Sequence, residues 1–267
     1  MSQLQTLTET DDAQVQIKTT ADVIKPIFDY ARRHVKEAKV HFDSDGIDYA
    51  IVDPANVAMA KLHAPAGVFE SYEVDETVVG LNLKETMKAL RAGRKASEDT
   101  INLSYEDMQL STTVHRDYDG TVMDLQTNLA TIEPDALRQE PNLPDLEFDV
   151  SATLNRTLFE DVVDAVDEVS EHIRFESNGP DLCISGESDV SDARGVVRDV
   201  VNGEGADSLF SLDYITNNLI KSLKTVGVDE FEIELGEEFP MRVNWAKDIN
   251  DETIEGAYFM APRVQSE

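Results

Sequence analysis

Val40 to Met59 reads VHFDSDGIDYAIVDPANVAM. Apolar and polar residues alternate up to a Ser44-Asp45-Gly46 turn and alternate again from Ile47 to Val52, the pattern of a β-hairpin. The hairpin is predicted to break at Asp53-Pro54, because proline cannot donate to a ladder and biases the residue before it towards extended geometry. Asp53 is expected to form an Asx turn rather than to act as a catalytic base. A second apolar run follows, from Val57 to Leu62.

Upstream, Val15 and Ile17 alternate with polar neighbours as a short strand. It leads into a predicted helix from about Ala21 to Ala38. Ile24, Ile27, Phe28, Ala31, Val35 and Ala38 form its buried stripe, and Pro26 is expected within the first turn. Lys25, Arg32, Lys36 and Lys39 gather on one flank, with Arg33 beside them. Downstream, Tyr72 to Leu83 reads as a strand and Lys84 to Lys95 as a second helix. Here Leu83, Met87 and Leu90 face inward, while Lys84, Lys88, Arg91 and Lys95 share the flank seen on the first helix. Three strands follow, over Thr100 to Leu103, Met108 to Val114 and Val122 to Leu125.

Residues 131–147 carry three prolines, no glycine and no period, as a semi-extended connector would. The pattern then restarts. Val150 to Leu154 reads as a strand and Thr157 to Glu171 as a helix with Leu158, Val162, Val166 and Val169 inward. Ile173-Arg174-Phe175 before Glu176-Ser177-Asn178-Gly179 echoes Val40-His41-Phe42 before Asp43-Ser44-Asp45-Gly46, at an offset of about 130 residues. Leu209 to Asp213 opens a helix as Leu81 to Lys84 does. This repetition implies tandem duplication: an α+β chain of two similar domains, antiparallel sheets with helices on one face. The expected boundaries are a disordered tail at 1–13, a first domain at 14–130, a connector at 131–147 and a second domain at 148–267.

The chain has 267 residues, with 54 acidic against 23 basic side chains and a formal charge of −31. A hydrophobic fraction of 41% argues against disorder, so the charge describes a folded acidic surface. Such a surface suits molar salt, where a Debye length of about 3 Å screens self-repulsion. A DNA mimic presenting carboxylates as false phosphates is the alternative. Against the acidic background, the concentration of cations on two helices points to a polyanion partner. Cys183 stands alone, so no intrachain disulfide is expected and a reducing, cytoplasmic setting follows. No apolar run reaches the ~18 residues of a membrane span.

His34, His41, His63, His115 and His172 lie far apart, so neither they nor Cys183 offer metal-ligand spacing. No phosphate-binding glycine loop, dinucleotide fingerprint or nucleophile elbow occurs. No catalytic residue, cofactor or metal is therefore expected, and the chain is not read as an enzyme.

Three stretches resemble the sliding clamps of the PCNA family, archaeal type. They are the Asp53-Pro54-Ala55-Asn56-Val57 corner, Asn82-Leu83 opening a basic helix, and Tyr258-Phe259-Met260-Ala261-Pro262-Arg263-Val264. The similarity runs from about Gln14 to the end and, with the acidity, suggests a haloarchaeal or haloarchaeal-virus source. It implies the DNA clamp fold, with three chains closing a ring around duplex DNA. It also implies a processivity factor that tethers DNA polymerase, the clamp loader and other client proteins. The family's inner wall maps onto Lys25, Arg32, Lys88 and Arg91, with Arg33, Lys36, Lys84 and Lys95 close by and Lys221 and Lys224 extending the set. The acidic stretch 157–171 departs from the family, whose matching helix is basic. Client peptides are expected against Val52, Asn56, Val57, Met59, Leu143, Pro144, Leu146, Pro240, Phe259, Ala261, Pro262, Arg263 and Val264, with Asn56 where many clamps have histidine. Subunits are expected to join through the strands around Thr113 to Val122 and Ala193 to Val201, with Tyr118, Arg194, Val196, Val197, Arg198 and Val200 in the contact. A subunit of a heterotrimer or a specialised paralogue is equally compatible with the residues.

Overall fold

The computed structural model describes residues 13–94, 98–142, 146–203 and 205–263. Most of the expected tail, together with Lys95, Leu143, Pro144 and Val264, lies outside the described residues. The chain forms two units. The first comprises the chain up to Tyr49, Leu62–Gln139 and Asp248–Ile254; the second comprises Ala50–Lys61, Glu140–Lys247 and the chain from Glu255.

The first unit begins with β1 (Val15–Thr20), α1 (Ala21–His34), β2 (Glu37–Phe42) and β3 (Gly46–Val52), continuing from the end of β4 (Ala58–Pro65) into β5 (Ser71–Val74) and β6 (Thr77–Asn82). Then come α2 (Leu83–Ala89), β7 (Thr100–Glu106), β8 (Gln109–Tyr118) and β9 (Thr121–Ala130). One antiparallel sheet has the order β5-β1-β7-β8-β9; elsewhere β2 pairs with β3 and with β6. The β2–β3 hairpin turns where the sequence predicts, because the Asp43 side chain accepts from the Asp45 and Gly46 amides at 2.8 and 3.1 Å. Gly46 has φ +153°, and a Cβ there would meet the Ala64 carbonyl oxygen at 2.1 Å, so no larger residue fits.

The second unit contains β10 (Val150–Asn155), α3 (Arg156–Asp167), β11 (His172–Ser177), β12 (Leu182–Glu187), β13 (Asp192–Val197), β14 (Val201–Gly203) and β15 (Ala206–Ser211). A helical stretch follows: α4 (Leu212–Tyr214), a π-helical turn Ile215–Ile220 and α5 (Lys221–Val226). β16 (Glu230–Leu235), most of β17 (Met241–Ile249) and the end of β18 (Glu252–Met260) complete it. Strands β14-β10-β16-β17 are neighbours in one sheet, and β13-β12-β11-β15 form another.

The two units repeat each other pairing by pairing. β1 joins β5 and β7 as β10 joins β14 and β16. β7 joins β8 as β16 joins β17, and β2 joins β3 and β6 as β11 joins β12 and β15. Laying Val15 on Val150 sets Ala21, the first residue of α1, on Arg156, the first of α3. In this register Ile24, Phe28 and Ala31 fall on Phe159, Val163 and Val166, and all six are buried. Side chains such as Phe28 and Phe159 each contribute about 2–3 kcal/mol by leaving water. Their spacing is what holds both helices to their sheets.

Several boundaries differ from the sequence reading. α1 ends at His34 rather than Ala38; Val35 is extended at φ −137°, and Lys39 lies on β2 opposite Gly80. Pro26 is the sixth helical residue, beyond the first turn, so the Asp22 carbonyl receives no bond from it. Tyr72 to Leu83 is two strands broken at Asp75-Glu76. α2 stops at Ala89 and tightens into a 3-10 turn, Leu90–Ala92. At Gly93 a Cβ would strike Ile101 at 2.6 Å, so the chain leaves the helix against a packed core. On α3 the inward stripe is Phe159, Val163 and Val166; of the expected positions Val166 is inward, Val162 and Val169 are half-buried, and Leu158 is 58% exposed. Asn155 caps the helix by accepting from Thr157 and Leu158, which starts it one residue earlier and turns Leu158 outward.

Candidate functional site

The Asp53 corner lies in the second unit and is built around one carboxylate. Asp53 Oδ1 accepts from the Val57 and Ala58 amides, both at 2.7 Å, and Oδ2 accepts from the Ala55 amide at 2.8 Å. The Tyr214 hydroxyl, at the head of the helical stretch, donates to Oδ2 at 3.0 Å. Asn56 takes the left-handed conformation, φ 58°, that lets the chain reverse so tightly. Burial alone would raise the Asp53 pKa; the hydrogen bonds from Ala58, Ala55, Tyr214 and Val57 outweigh it and hold the carboxyl below its ordinary value. Asp53 thus serves as the turn-former that the sequence suggests.

Beside the corner the C-terminal segment is tied down twice. The Ala261 amide donates to the Val57 carbonyl at 2.9 Å, and the Arg263 amide to the Leu209 carbonyl at 2.8 Å. Val57, Ser211, Tyr214, Met260, Ala261, Pro262 and Arg263 enclose a cavity of about 290 Å³. Of the expected partner-peptide residues, Val57, Ala261, Pro262 and Arg263 meet here. Val52, Met59, Leu146 and Pro240 are half-buried and Asn56 is exposed, all outside this lining. Phe259, only 6% exposed, belongs to the core rather than to an open wall. The end of β18 is covered on both faces, since Gly256 to Met260 are all buried, and the chain emerges only at Ala261. Sequence reading missed Ser211, Tyr214 and Met260. Tyr214 is 161 residues from Asp53, and no local pattern links them.

The cationic face lies on α1 and α2, which pack together in the first unit. Asn82 caps α2 by accepting from the Glu85 amide at 3.1 Å, as the Asn82-Leu83 signature suggests. Lys36, Lys84 and Arg91 are exposed and make no ion pair among the described residues. Lys88 is exposed and pairs with Glu85 at 2.7 Å, a surface contact of little strength. Lys25 turns its ammonium to the Gly93 carbonyl. Arg32 and Arg33 both reach the Asp29 carboxylate, Arg32 through Nε at 2.6 Å and Arg33 at 3.1 Å. In the second unit Lys224 binds Glu160 at 2.8 Å, and the Lys221 ammonium donates to the Asn217 side-chain oxygen. Arg94, exposed just beyond the 3-10 turn, was not among the expected cations.

The end of α2 is braced from below. Asp99, 4% exposed, receives both Nε and Nη2 of Arg116 and the Arg94 amide at 3.0 Å, while Arg116 also donates to the Ala92 carbonyl at 2.7 Å. The Arg116 hydrogen bonds, against the opposing effect of burial, draw the Asp99 pKa down to about 2.

Each unit leaves one sheet edge bearing exposed apolar side chains. In the five-stranded sheet the edge is β9; β8, which holds most of the expected Thr113 to Val122 stretch, is paired on both sides. Met123 and Leu125 lie opposite Arg116 and Val114, on the sheet face that Val114 buries, yet are 40% and 44% exposed. Tyr118, at the hairpin end, is 76% exposed. The other edge is β13, where Arg194 and Val196 face outward. Arg194 Nε lies 2.8 Å from Cys183 Sγ. Val197 is half-buried on the opposite face. Arg198 and Val200 lie beyond the strand, which ends at Val197 before Asp199 turns with φ 56°. Arg198 pairs there with Asp181 at 3.1 Å.

Among the described residues, no cluster of three or more His, Cys, Asp or Glu side chains could hold a metal ion. No described helix is long and apolar enough to cross a membrane.

Residues 14–137 match the family described as "Proliferating cell nuclear antigen, N-terminal domain". A DNA polymerase sliding clamp of Haloarcula marismortui is 34% identical over 256 residues, covering 93% of this chain and 98% of its own length. The chain belongs to the PCNA family of DNA polymerase sliding clamps. A clamp of Halobacterium salinarum is 35% identical, with 92% and 97% of the two chains covered. Among solved structures, the A. fulgidus PCNA bound to the C-terminal region of FEN-1 is 26% identical and superposes with a TM-score of 0.81 over 95% of this clamp and 100% of that chain. Similarity over almost the whole clamp to relatives from halophiles agrees with the acidic composition and disfavours the DNA-mimic alternative.

Proposed function

We propose that this clamp closes a homotrimeric ring around duplex DNA and tethers DNA polymerase, the clamp loader and other client proteins through the cavity beside the Asp53 corner. The convergence of Val57, Tyr214, Ala261 and Pro262 on one apolar cavity next to an exposed terminal segment carries this reading. A short peptide can set aliphatic or aromatic anchors into that space, and because the Ala261 and Arg263 amides already donate within the chain and Pro262 has none, residues 261–263 offer its backbone carbonyl acceptors. Lys36, Lys84, Lys88 and Arg91 supply contacts to phosphates, which position a duplex without reading its sequence. At molar salt such contacts are weak, because counterion release yields little there. A closed ring retains DNA by topology instead. The edges β9 and β13 offer unpaired strands for joining subunits. The clamp carries out no reaction of its own, and it works in the cytoplasm on chromosomal or viral DNA.

Light scattering in molar potassium chloride tests the ring: three chain masses are expected, and a lone monomer would refute the homotrimer. For the cavity, Val57→Asp should weaken binding of a polymerase C-terminal peptide by about 2 kcal/mol, the loss typical of a central anchor site, with the trimer intact. Normal peptide binding by this variant would move the client site elsewhere.

A further inference from the structure

We propose that the phosphate-contacting surface of this clamp is confined to the first unit, and that the equivalent helical face of the second unit denies the duplex a contact. This rests on the reading of α1 and α2 as the DNA-facing helices. The internal repeat supplies the argument, because five cations of α1 and α2 have a polar counterpart at the matching position of the second unit.

In the register that superposes the buried stripes of α1 and α3, Lys25 falls on Glu160, Arg32 on Asp167 and Arg33 on Glu168. The second helices align equally well. β6 and β15 each run six residues into a helix, so Leu83 falls on Leu212, Thr86 on Ile215 and Leu90 on Leu219, every one of them buried. Lys84 then falls on Asp213 and Lys88 on Asn217, both exposed. Four positions are inverted in sign and one is neutralised. Asp167, Glu168 and Asp213 are exposed, so the inversion reaches solvent.

The two lysines nearest this face do not restore it. Glu160, at the Lys25 position, takes Lys224 at 2.8 Å and Arg156 at 2.6 Å. Asn217, at the Lys88 position, takes the Lys221 ammonium. The residues that replace cations thus also engage the cations beside them. With a Debye length of about 3 Å at 1 M salt, repulsion acts only near contact. Each subunit therefore presents one adhesive wall rather than two. A duplex leaning on fewer phosphate contacts releases fewer counterions and slides with less drag.

Photo-crosslinking reads this directly. A crosslinking residue is placed at Lys84 or at its counterpart Asp213 in the intact clamp, which is then loaded on closed circular duplex DNA. At least tenfold more DNA adduct is expected from position 84. Comparable yields would overturn the confinement while leaving the DNA-facing role of α2 in place. No adduct from position 84 would overturn that role and the confinement with it. In a second arm, Asp167→Lys with Glu168→Lys, verified as trimeric, should steepen the dependence of log affinity on log salt by about 0.9 for each phosphate gained. An unchanged slope would show that this face does not approach phosphate even when cationic, and would overturn charge as the cause.

Discussion

Tyr214 donates its hydroxyl to Asp53 Oδ2 at 3.0 Å, joining the head of a helix to a corner in which the Ala55, Val57 and Ala58 amides also donate to the same carboxylate. Because the acceptor is charged, Tyr214→Phe should cost about 1.5–3 kcal/mol. Asp53→Asn should cost more, since its amide group presents hydrogens to amide donors. The acid dependence follows from the lowered Asp53 pKa. The folded value lies below the unfolded one, so the stabilisation is complete above the ordinary aspartate range and is lost as pH falls through the depressed value. Peptide affinity followed down a pH series should hold to below the ordinary aspartate pKa in the wild type. An acid limb identical in Asp53→Asn would refute this role.

Lys88→Glu with Arg91→Glu should impair clamp-stimulated DNA synthesis at low salt, and the deficit should shrink as salt rises. Both side chains are exposed, so the trimer should survive, with stability changed by no more than about 0.5 kcal/mol. Primer extension at several salt concentrations beside light scattering checks both parts. Unchanged stimulation throughout would remove the basic face from the mechanism.

Met123 and Leu125 sit on the core face of an edge strand yet remain open to solvent. Exposed ion pairs are strongly screened in molar salt, so apolar contact should dominate subunit joining. Met123→Asp with Leu125→Asp should convert the trimer to monomers, and Val196→Asp on β13 should do the same from the other side. Sedimentation in molar potassium chloride reports the masses, and a persisting trimer would place the joint elsewhere.

Asp99 offers a second acid-sensitive element, distinct from the corner. Its pKa of about 2 lies below the ordinary 3.8, so its contribution is present above about pH 4 and disappears towards pH 2. Asp99→Asn should lower the melting temperature at neutral pH and remove part of the loss between those limits. Thermal melts from pH 7 to pH 2 would show it; parallel curves for the two proteins would exclude the effect.

What could be read without coordinates followed from local periodicity. The Val40 to Val52 hairpin and the strand restarting at Val150 are local signals, and each is found where expected, whereas the helix opening at Asn82-Leu83 was legible through the family resemblance. The misread phases share one cause. On α3 both Leu158 and Phe159 are apolar, so hydrophobicity alone leaves the inward face undecided; the Asn155 cap decides it. At Lys36 to Lys39 a helical spacing of lysines continues across a chain that has already turned into β2, because Val35 is extended. The cavity was half legible. Its corner and tail carry distinctive residues, whereas Tyr214 enters through a hydrogen bond spanning most of the second unit. The pairing of Arg32 and Arg33 with Asp29 was hidden for another reason: a charge count on a helix says nothing about which cation is already engaged.

The two units are interleaved along the chain, which constrains their manufacture. A ribosome delivers residues 50–61 early, but the rest of the second unit begins only at Glu140; the first unit waits for Asp248–Ile254. Domains that fold in order of synthesis depend on contiguous sequence. Here neither unit is whole until the last strand pair has emerged, and contacts between distant residues slow folding further. A nascent chain stalled before Asp248 should therefore remain protease-sensitive in both halves, its early strands waiting on a few residues translated after most of the second unit.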